Sequence, residues 1–419
     1  MKFYNTFSFI VLLCSSPSWA KSYTLNDLIE LGKKNNTDKK IEQVNIKELD
    51  SKIEKEQSDY YPKLSITLGS ESRKIESDEE IKQSKSVAEL RLDYNLYRFG
   101  ATSKKVEAYQ ALKTHKKRTL KYFDLKQKQE LKGLFYRGLY YANLYSILQQ
   151  EQIFNKQLKK EVTRRKKQGL VGQADVLEID MREATLKDKI LSTQEKMDHN
   201  KDQLREALFL SHTFEFELNG HLPHLHLKTS TKELIAQAYH QNKELSHSLA
   251  KLESLRHDLL SRSSQKWPSI DIKGRYGKLN LDDAISESDN EGQLGVYLNI
   301  PLWDGGKRSA NINLAKARQN RHIIKHERLE KNLKIEVVHK HEKMLNLHAR
   351  VDLAEQNVKN GKRYFANVRK EYARGIKNSL DLVSARDRLM NFEKDLIWAK
   401  NEFLQAKITL ENLIGKTIQ

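Results

Sequence analysis

The chain has 419 residues, of which 38% are hydrophobic and 31% charged, so it can bury a core. With 5 Pro and 17 Gly it can run for long stretches as helix, and its one cysteine, Cys14, excludes a disulfide framework. The formal net charge of +19 would suit nucleic acid or an acidic surface, but the Lys and Arg residues are spread along the predicted helices and read as solvated faces.

Residues 1–20 read as an export signal. Lys2 supplies a positive start, Phe7 to Cys14 a short apolar core, and Ser18-Trp19-Ala20 a small-residue end. The apolar run is too short to span a bilayer as a helix. Leu13 stands before Cys14 where a lipid-anchor site wants a small residue, so no anchor is expected. Without Cys14 the exported chain has no cysteine and no thiolate metal site. No later stretch is long and apolar enough for a transmembrane helix.

The rest of the chain is written twice. One offset of 206 residues puts Leu28 on Leu234, Asn36 on Asn242, Tyr61-Pro62 on Trp267-Pro268, Leu92 on Leu298, Gly100 on Gly306, Gly169 on Gly375, Asp175 on Asp381 and Arg182 on Arg388. Repeat 1 is expected over 21–213 and repeat 2 over 228–419, with a linker at 214–227.

Each repeat begins with a short helical stretch, about 24–58 and 230–264, and meets an aromatic-Pro boundary. A β-hairpin follows, predicted at about 62–98 and 268–303. Leu64, Ile66 and Leu68 alternate with Lys63, Ser65 and Thr67, and Leu90, Leu92, Tyr94 and Leu96 alternate with Glu89, Arg91, Asp93 and Asn95. In repeat 2, Ile270 and Ile272 alternate with Asp271 and Lys273, and Leu294, Val296, Leu298, Ile300 and Leu302 with Gln293, Gly295, Tyr297 and Asn299. Period-2 alternation of this kind predicts strands with one apolar and one polar face. The joining segments Glu71–Ser86 and Gly277–Gly292, acidic and rich in Ser and Asn, are expected as exposed loops.

Long helices come next, at about 101–168 and 307–374. At about 1.5 Å per residue each is on the order of 100 Å long. Gly169 and Gly375 are left-handed helix stops. Second long helices, at about 174–212 and 380–415, start near Asp175 and Asp381, which suit a helix N-terminus. The last carries a 3-4 seam of Leu382, Ala385, Leu389, Phe392, Leu396, Ala399, Phe403, Ala406, Leu410 and Leu413, which predicts lengthwise packing.

Four amphipathic strands of about ten residues match a tilted membrane strand, yet a membrane barrel needs about eight strands and tolerates no open edge. Several copies must therefore share one barrel, and three copies would supply twelve strands. Its interior would carry Lys63, Ser65, Glu89, Arg91, Asp93, Asn95, Asp271, Lys273 and Asn299. Tyr60, Tyr61, Tyr97, Phe99, Trp267 and Trp303 all fall at one end of the strands and fit an interfacial belt. The expected fold class is mostly α with membrane β.

Three pairs of segments resemble the TolC-like outer membrane efflux family: YPKLSITLGS with WPSIDIKG, LDYNLYRFGATSK with LNIPLWDGGKRSA, and QGLVGQADVLEID with RGIKNSLDLVSARD. The resemblance covers essentially the whole exported chain. It implies a homotrimer with a twelve-stranded barrel in outer-membrane lipid and a coiled-coil α-barrel across the periplasm. It also implies a periplasmic adaptor (membrane fusion protein), an inner-membrane pump, and export of small molecules or proteins, including by type I secretion.

No catalytic constellation and no cofactor loop is present, so no enzyme and no cofactor is expected. His221, His224 and His226 read as a solvated turn, because no carboxylate or thiolate sits nearby at ligand spacing, and no metal is expected. His339 and His341 fall on different faces of one helix. By the resemblance, a periplasmic latch maps onto Asp175, Tyr372 and Lys377, where Lys replaces the family's Arg and its bidentate fork. The tunnel constriction maps onto Asp381 and Ser384, with Ser in place of a second acid. The turns at Gly169, Leu170 and Val171 and at Gly375 and Ile376 become the adaptor-docking surface. Asp175 and Asp381 equally serve as plain helix N-terminal charges. A periplasmic coiled-coil structural or adaptor protein is the alternative reading. The export signal argues against nucleic acid.

Overall fold

A computed structural model describes residues 21–75, 81–224, 230–278, 291–416 and 418. The expected export signal lies outside them. In chain order the elements are β1 (Lys21–Tyr23), α1 (Leu25–Asn35), α2 (Thr37–Gln57), β2 (Lys63–Ile75), β3 (Ile81–Tyr97), α3 (Ala101–Lys167), α4 (Gln173–Ala207) and β4 (Phe216–Leu218). There follow α5 (Thr231–Gln241), α6 (Lys243–Ser264), β5 (Ser269–Lys278), β6 (Glu291–Asn299), α7 (Lys307–Ala373) and α8 (Ser379–Ile414). The duplication is explicit: α1, α2, β2, α3 and α4 each begin 206 residues before α5, α6, β5, α7 and α8. Asn36 and Asn242 have the same task in the two repeats. The Asn36 side chain accepts the Lys39 N–H at 2.8 Å, and the Asn242 side chain accepts the Leu245 N–H at 2.7 Å. Each caps a new helix and so breaks the helical stretch in two.

The chain forms two compact units. One comprises residues 36–126, 226–345 and 406–419. It holds an antiparallel sheet in the order β2-β3-β5-β6. The register aligns like with like. Leu64, Leu92, Gly274 and Leu294 form one rung, and Ile66, Leu90 and Tyr276 another. One residue along, Lys63 stands opposite Asp93 and Asp93 opposite Lys273, a favourable alternation of charge. Asp271 accepts from Asn299 Nδ2 at 2.7 Å and Ser269 Oγ at 3.2 Å, and also from Asn95. The apolar face is bare: Ile66, Leu68, Leu294 and Val296 are 73%, 76%, 74% and 69% exposed.

Two expectations for the strands need correction. β2 and β3 pair as far as Ile75 and Ile81, so most of Glu71–Ser86 is ladder and not loop. Alternation of side chains marks where one face is greasy, but backbone pairing continues beyond it, because each N–H and C=O still gains a partner. In the opposite sense, β6 ends at Asn299, which leaves Ile300, Leu302 and Trp303 past the strand. Pro301 has no N–H to extend the ladder. Of the Gly277–Gly292 segment, residues 279–290 lie outside those described.

In the same unit His115 of α3 is only 4% exposed, and its ring lies 3.7 Å from that of His247 of α6. Burial, then the neighbouring His247, Lys116 and Lys251, push its pKa down to about 4, against a weaker opposing pull from Glu42. A base with a depressed folded pKa stabilises above the unfolded value and loses that stability as pH falls through the folded one. The melting temperature should therefore fall between pH 6.5 and about 4, by up to about 3 kcal/mol of stability for this residue. His115→Leu should flatten that segment of the pH–melting curve; an unchanged slope would exclude His115 as its source.

The second unit comprises residues 1–35, 127–225 and 346–405. Here the predicted linker at 214–227 is partly structured. β4 pairs parallel with β1, with Lys21 opposite Phe216 and Tyr23 opposite Leu218. Arg205 holds it there, donating from Nε to the Phe214 carbonyl at 2.9 Å. α4 also stops earlier than the expected residue 212, at Ala207, where Phe209 turns left-handed at φ 54°. On α8, Leu382, Ala385, Leu389, Ala399 and Phe403 of the predicted seam are buried. A Cβ on Gly361 of α7 would stand 2.8 Å from Phe392, which shows how closely the two helices approach.

Candidate functional site

The two helix turns lie in the second unit and share one backbone design. Gly169 and Gly375 adopt φ of 73° and 78°, a conformation that a Cβ penalises. The N–H of Gly169 donates to Lys166 O at 2.9 Å and that of Leu170 to Arg165 O at 3.0 Å. Gly375 and Ile376 repeat this with Tyr372 O and Glu371 O, both at 3.0 Å. This is the paired closure that a left-handed residue after a helix allows.

Each following helix is then capped by a carboxylate at its third position. Gly172 N–H donates to Asp175 Oδ2 at 3.1 Å. In the second turn the bonding is reciprocal: Asn378 N–H donates to Asp381 Oδ2 at 3.2 Å, and Asp381 N–H to Asn378 Oδ1 at 2.8 Å. Both Asp residues therefore stabilise the starts of α4 and α8, by charge as well as by hydrogen bond.

A small apolar core lies behind the turns. Leu158 and Val162 of α3, Ile179 of α4, Val368 and Tyr372 of α7, and Leu382 of α8 pack together there, with Val171 against them. The Tyr372 ring lies 4.4 Å from the Arg165 guanidinium, a cation–π contact, and its buried hydroxyl has no hydrogen-bond partner. Arg165 is held over the ring by Glu161, which accepts from its Nε at 2.8 Å and from Arg164 Nη2 at 2.8 Å. Arg164 and Arg165 keep the Glu161 carboxyl down to about 2.

The structure gathers the predicted gate residues at these turns but does not bond Asp175, Tyr372 and Lys377 to one another. Asp175 caps its own helix, Tyr372 packs inward, and Lys377 is exposed. Asp381 is half-buried, and Ser384, one helical turn on, is exposed. Leu170 and Ile376 project at equivalent positions, 69% and 67% exposed. In the sheet-bearing unit, Tyr60, Tyr61, Tyr97, Phe99, Trp267 and Trp303 are all exposed. Phe99 brings two of them together, with its ring 4.8 Å from Tyr97 and stacked 6.3 Å from Trp267.

An ion cluster above the tip core escaped the sequence. Glu151 of α3 is fully buried and accepts from Arg182 of α4 and, at 2.6 Å, from Arg386 Nε of α8. Arg182 also donates to Asp387 Oδ2 at 2.6 Å, and Arg386 lies over the rings of Phe154 and Phe365. One acid in a helix rich in polar residues carries no mark of burial. The predicted solvated turn of His residues is likewise different from expectation. His224 is half-buried and lies near His348, Asp352 and Glu355 of α7, while His226 lies outside the described residues. Those partners come from far along the chain, so local spacing gave no sign of them.

The sequence model of the outer membrane efflux protein family matches residues 234–416. That stretch lies within the second repeat and is less than half of the chain. No curated protein matches the chain by sequence. The fold of both repeats recurs in solved outer-membrane channels. The channel OprN has a TM-score of 0.82 at 15% identity over 93% of this chain and 89% of its own. VceC of Vibrio cholerae has a TM-score of 0.79 at 15% identity over 94% of this chain and 97% of its own. CmeC of Campylobacter jejuni has 0.80 at 14% identity over 94% and 86%. Among the described residues no helix is long and apolar enough to cross a membrane.

Proposed function

We propose that the chain is the outer-membrane channel of an export assembly, a passive conduit and not an enzyme. The observation that carries this is the sheet, whose apolar face is bare and whose edge strands β2 and β6 have open backbone groups. In lipid such edges are untenable, and pairing β6 of one copy with β2 of the next in a homotrimer closes a barrel of twelve strands. The efflux-family match and the channel fold support the same reading. So does the export signal read at residues 1–20. The long helices then extend into the periplasm, where the turns bearing Leu170 and Ile376 meet a periplasmic adaptor working with an inner-membrane pump. Small molecules and type I secreted proteins are the two cargo classes, and the pump selects between them.

The test is the full chain purified in detergent and added to a planar bilayer. A heat-modifiable trimer with discrete conductance steps is expected; a monomer that leaves the bilayer silent would refute the channel and favour a periplasmic coiled-coil protein.

The turns serve as the gate. Asp175 and Lys377 from neighbouring copies latch the closed end, Tyr372 supports the turn from within its own copy, and three Asp381 carboxylates ring the throat, with Ser384 below them. Asp175→Ala should raise the closed-state conductance, and Asp381→Asn should weaken block by multivalent cations. Equal conductance and equal block would leave both carboxylates as helix caps alone.

A further inference from the structure

We infer that His224, His348 and Asp352 form a binding site for a zinc-class divalent cation. The ligand atoms of the three side chains lie within 4.8 Å of one another. His224 Nε2 is 3.4 Å from Asp352 Oδ1, and His348 Nδ1 is 3.4 Å from Asp352 Oδ2. These separations are long for hydrogen bonds. Each imidazole faces a different oxygen of the one carboxylate, and small side-chain rotations would bring one atom of each residue to the spacing of about 3.3 Å that bonds of about 2.05 Å to a tetrahedral ion require. His348 and Asp352 stand four residues apart on α7 and so share a face. His224 arrives from the segment after β4, in the same compact unit.

The surroundings favour a metal. The His348 ring packs edge-on against Phe403 at 5.5 Å, which fixes its direction. Glu355 Oε2 lies 3.6 Å from His224 Nδ1, while its Oε1 is held by Lys400 Nζ at 2.9 Å. At that separation Glu355 adds a nearby negative charge and makes no hydrogen bond to the ring. The Asp352 side chain is half exposed, so water can reach the cluster. Two imidazoles and one carboxylate suit Zn2+, with Ni2+ and Cu2+ as competitors. Mg2+ and Ca2+ want oxygen ligands in larger number. The ion would clamp the segment after β4 onto α7, and it involves no residue of the gate.

The test uses the full chain in detergent, free of any affinity tag. One Zn2+ per chain should remain bound through gel filtration, and Zn2+ but not Mg2+ should raise the melting temperature. Co2+ should give the visible absorption of a tetrahedral nitrogen–oxygen site. His224→Ala and Asp352→Asn should abolish the Co2+ band. His221→Ala, an exposed neighbour, should change nothing. Absence of Zn2+ retention in the wild type would overturn the site, as would a Co2+ band unaltered by His224→Ala and Asp352→Asn.

Discussion

Glu151→Ala is expected to destabilise the folded protein by about 3–5 kcal/mol. Glu151 is fully buried, and both of its oxygens are engaged by guanidiniums, Arg182 on one and Arg386 on the other. Removing it leaves two largely buried guanidiniums without their shared acceptor. Asp387 still neutralises Arg182, whereas among the described residues Arg386 is left with the faces of Phe154 and Phe365. The penalty comes from the orphaned charges and not from the pair's own worth, since a buried ion pair gains in attraction roughly what it loses in hydration. The distinction can be measured. Replacing Glu151, Arg182 and Arg386 together by Met or Leu should recover most of the loss, and helical circular dichroism on heating would follow both variants. A Glu151→Ala protein that melts with the wild type would mean that water reaches the cluster.

Leu294→Arg is expected to cost about 2–4 kcal/mol in the inserted protein and nothing in water. Leu294 is 74% exposed, so in an aqueous protein its replacement by a charge would be harmless. In a tilted membrane strand each residue advances about 2.4 Å along the bilayer normal, which puts Leu294 about 12 Å from the aromatic end at Asn299. That is the middle of an apolar band about 25 Å tall, where a charge is most costly. Gln293→Glu, on the opposite face and directly across from Arg275, should be tolerated. The readouts are the heat-resistant trimer and the amount recovered from the outer-membrane fraction. Equal trimer from both variants would take the apolar face out of lipid.

Much of the architecture was written locally. The 206-residue offset, the Asn caps at 36 and 242, and the left-handed glycines at 169 and 375 depend on backbone rules that act within a few residues. The same holds for the alternation that marks the strands, and so the fold class is legible in the amino-acid sequence. Alternation was a poor guide to strand ends. It reports which face is greasy, whereas ladder length depends on where backbone partners run out, at Pro301 for β6 and beyond Glu71 for β2.

The candidate site divides in the same way. The turn positions and the capping carboxylates Asp175 and Asp381 follow from helix-end chemistry. Arg165 over Tyr372, the burial of Glu151, and the approach of His224 to Asp352 do not. Each joins residues that no local period relates, and a charged or imidazole side chain looks the same in sequence whether water or another side chain satisfies it. By itself, then, the sequence determined the repeats, the helices, their stops and the two-faced strands, because those are set by neighbours along the chain. Only the tertiary structure decided which polar groups left water, because burial is a property of what the other helices bring to them.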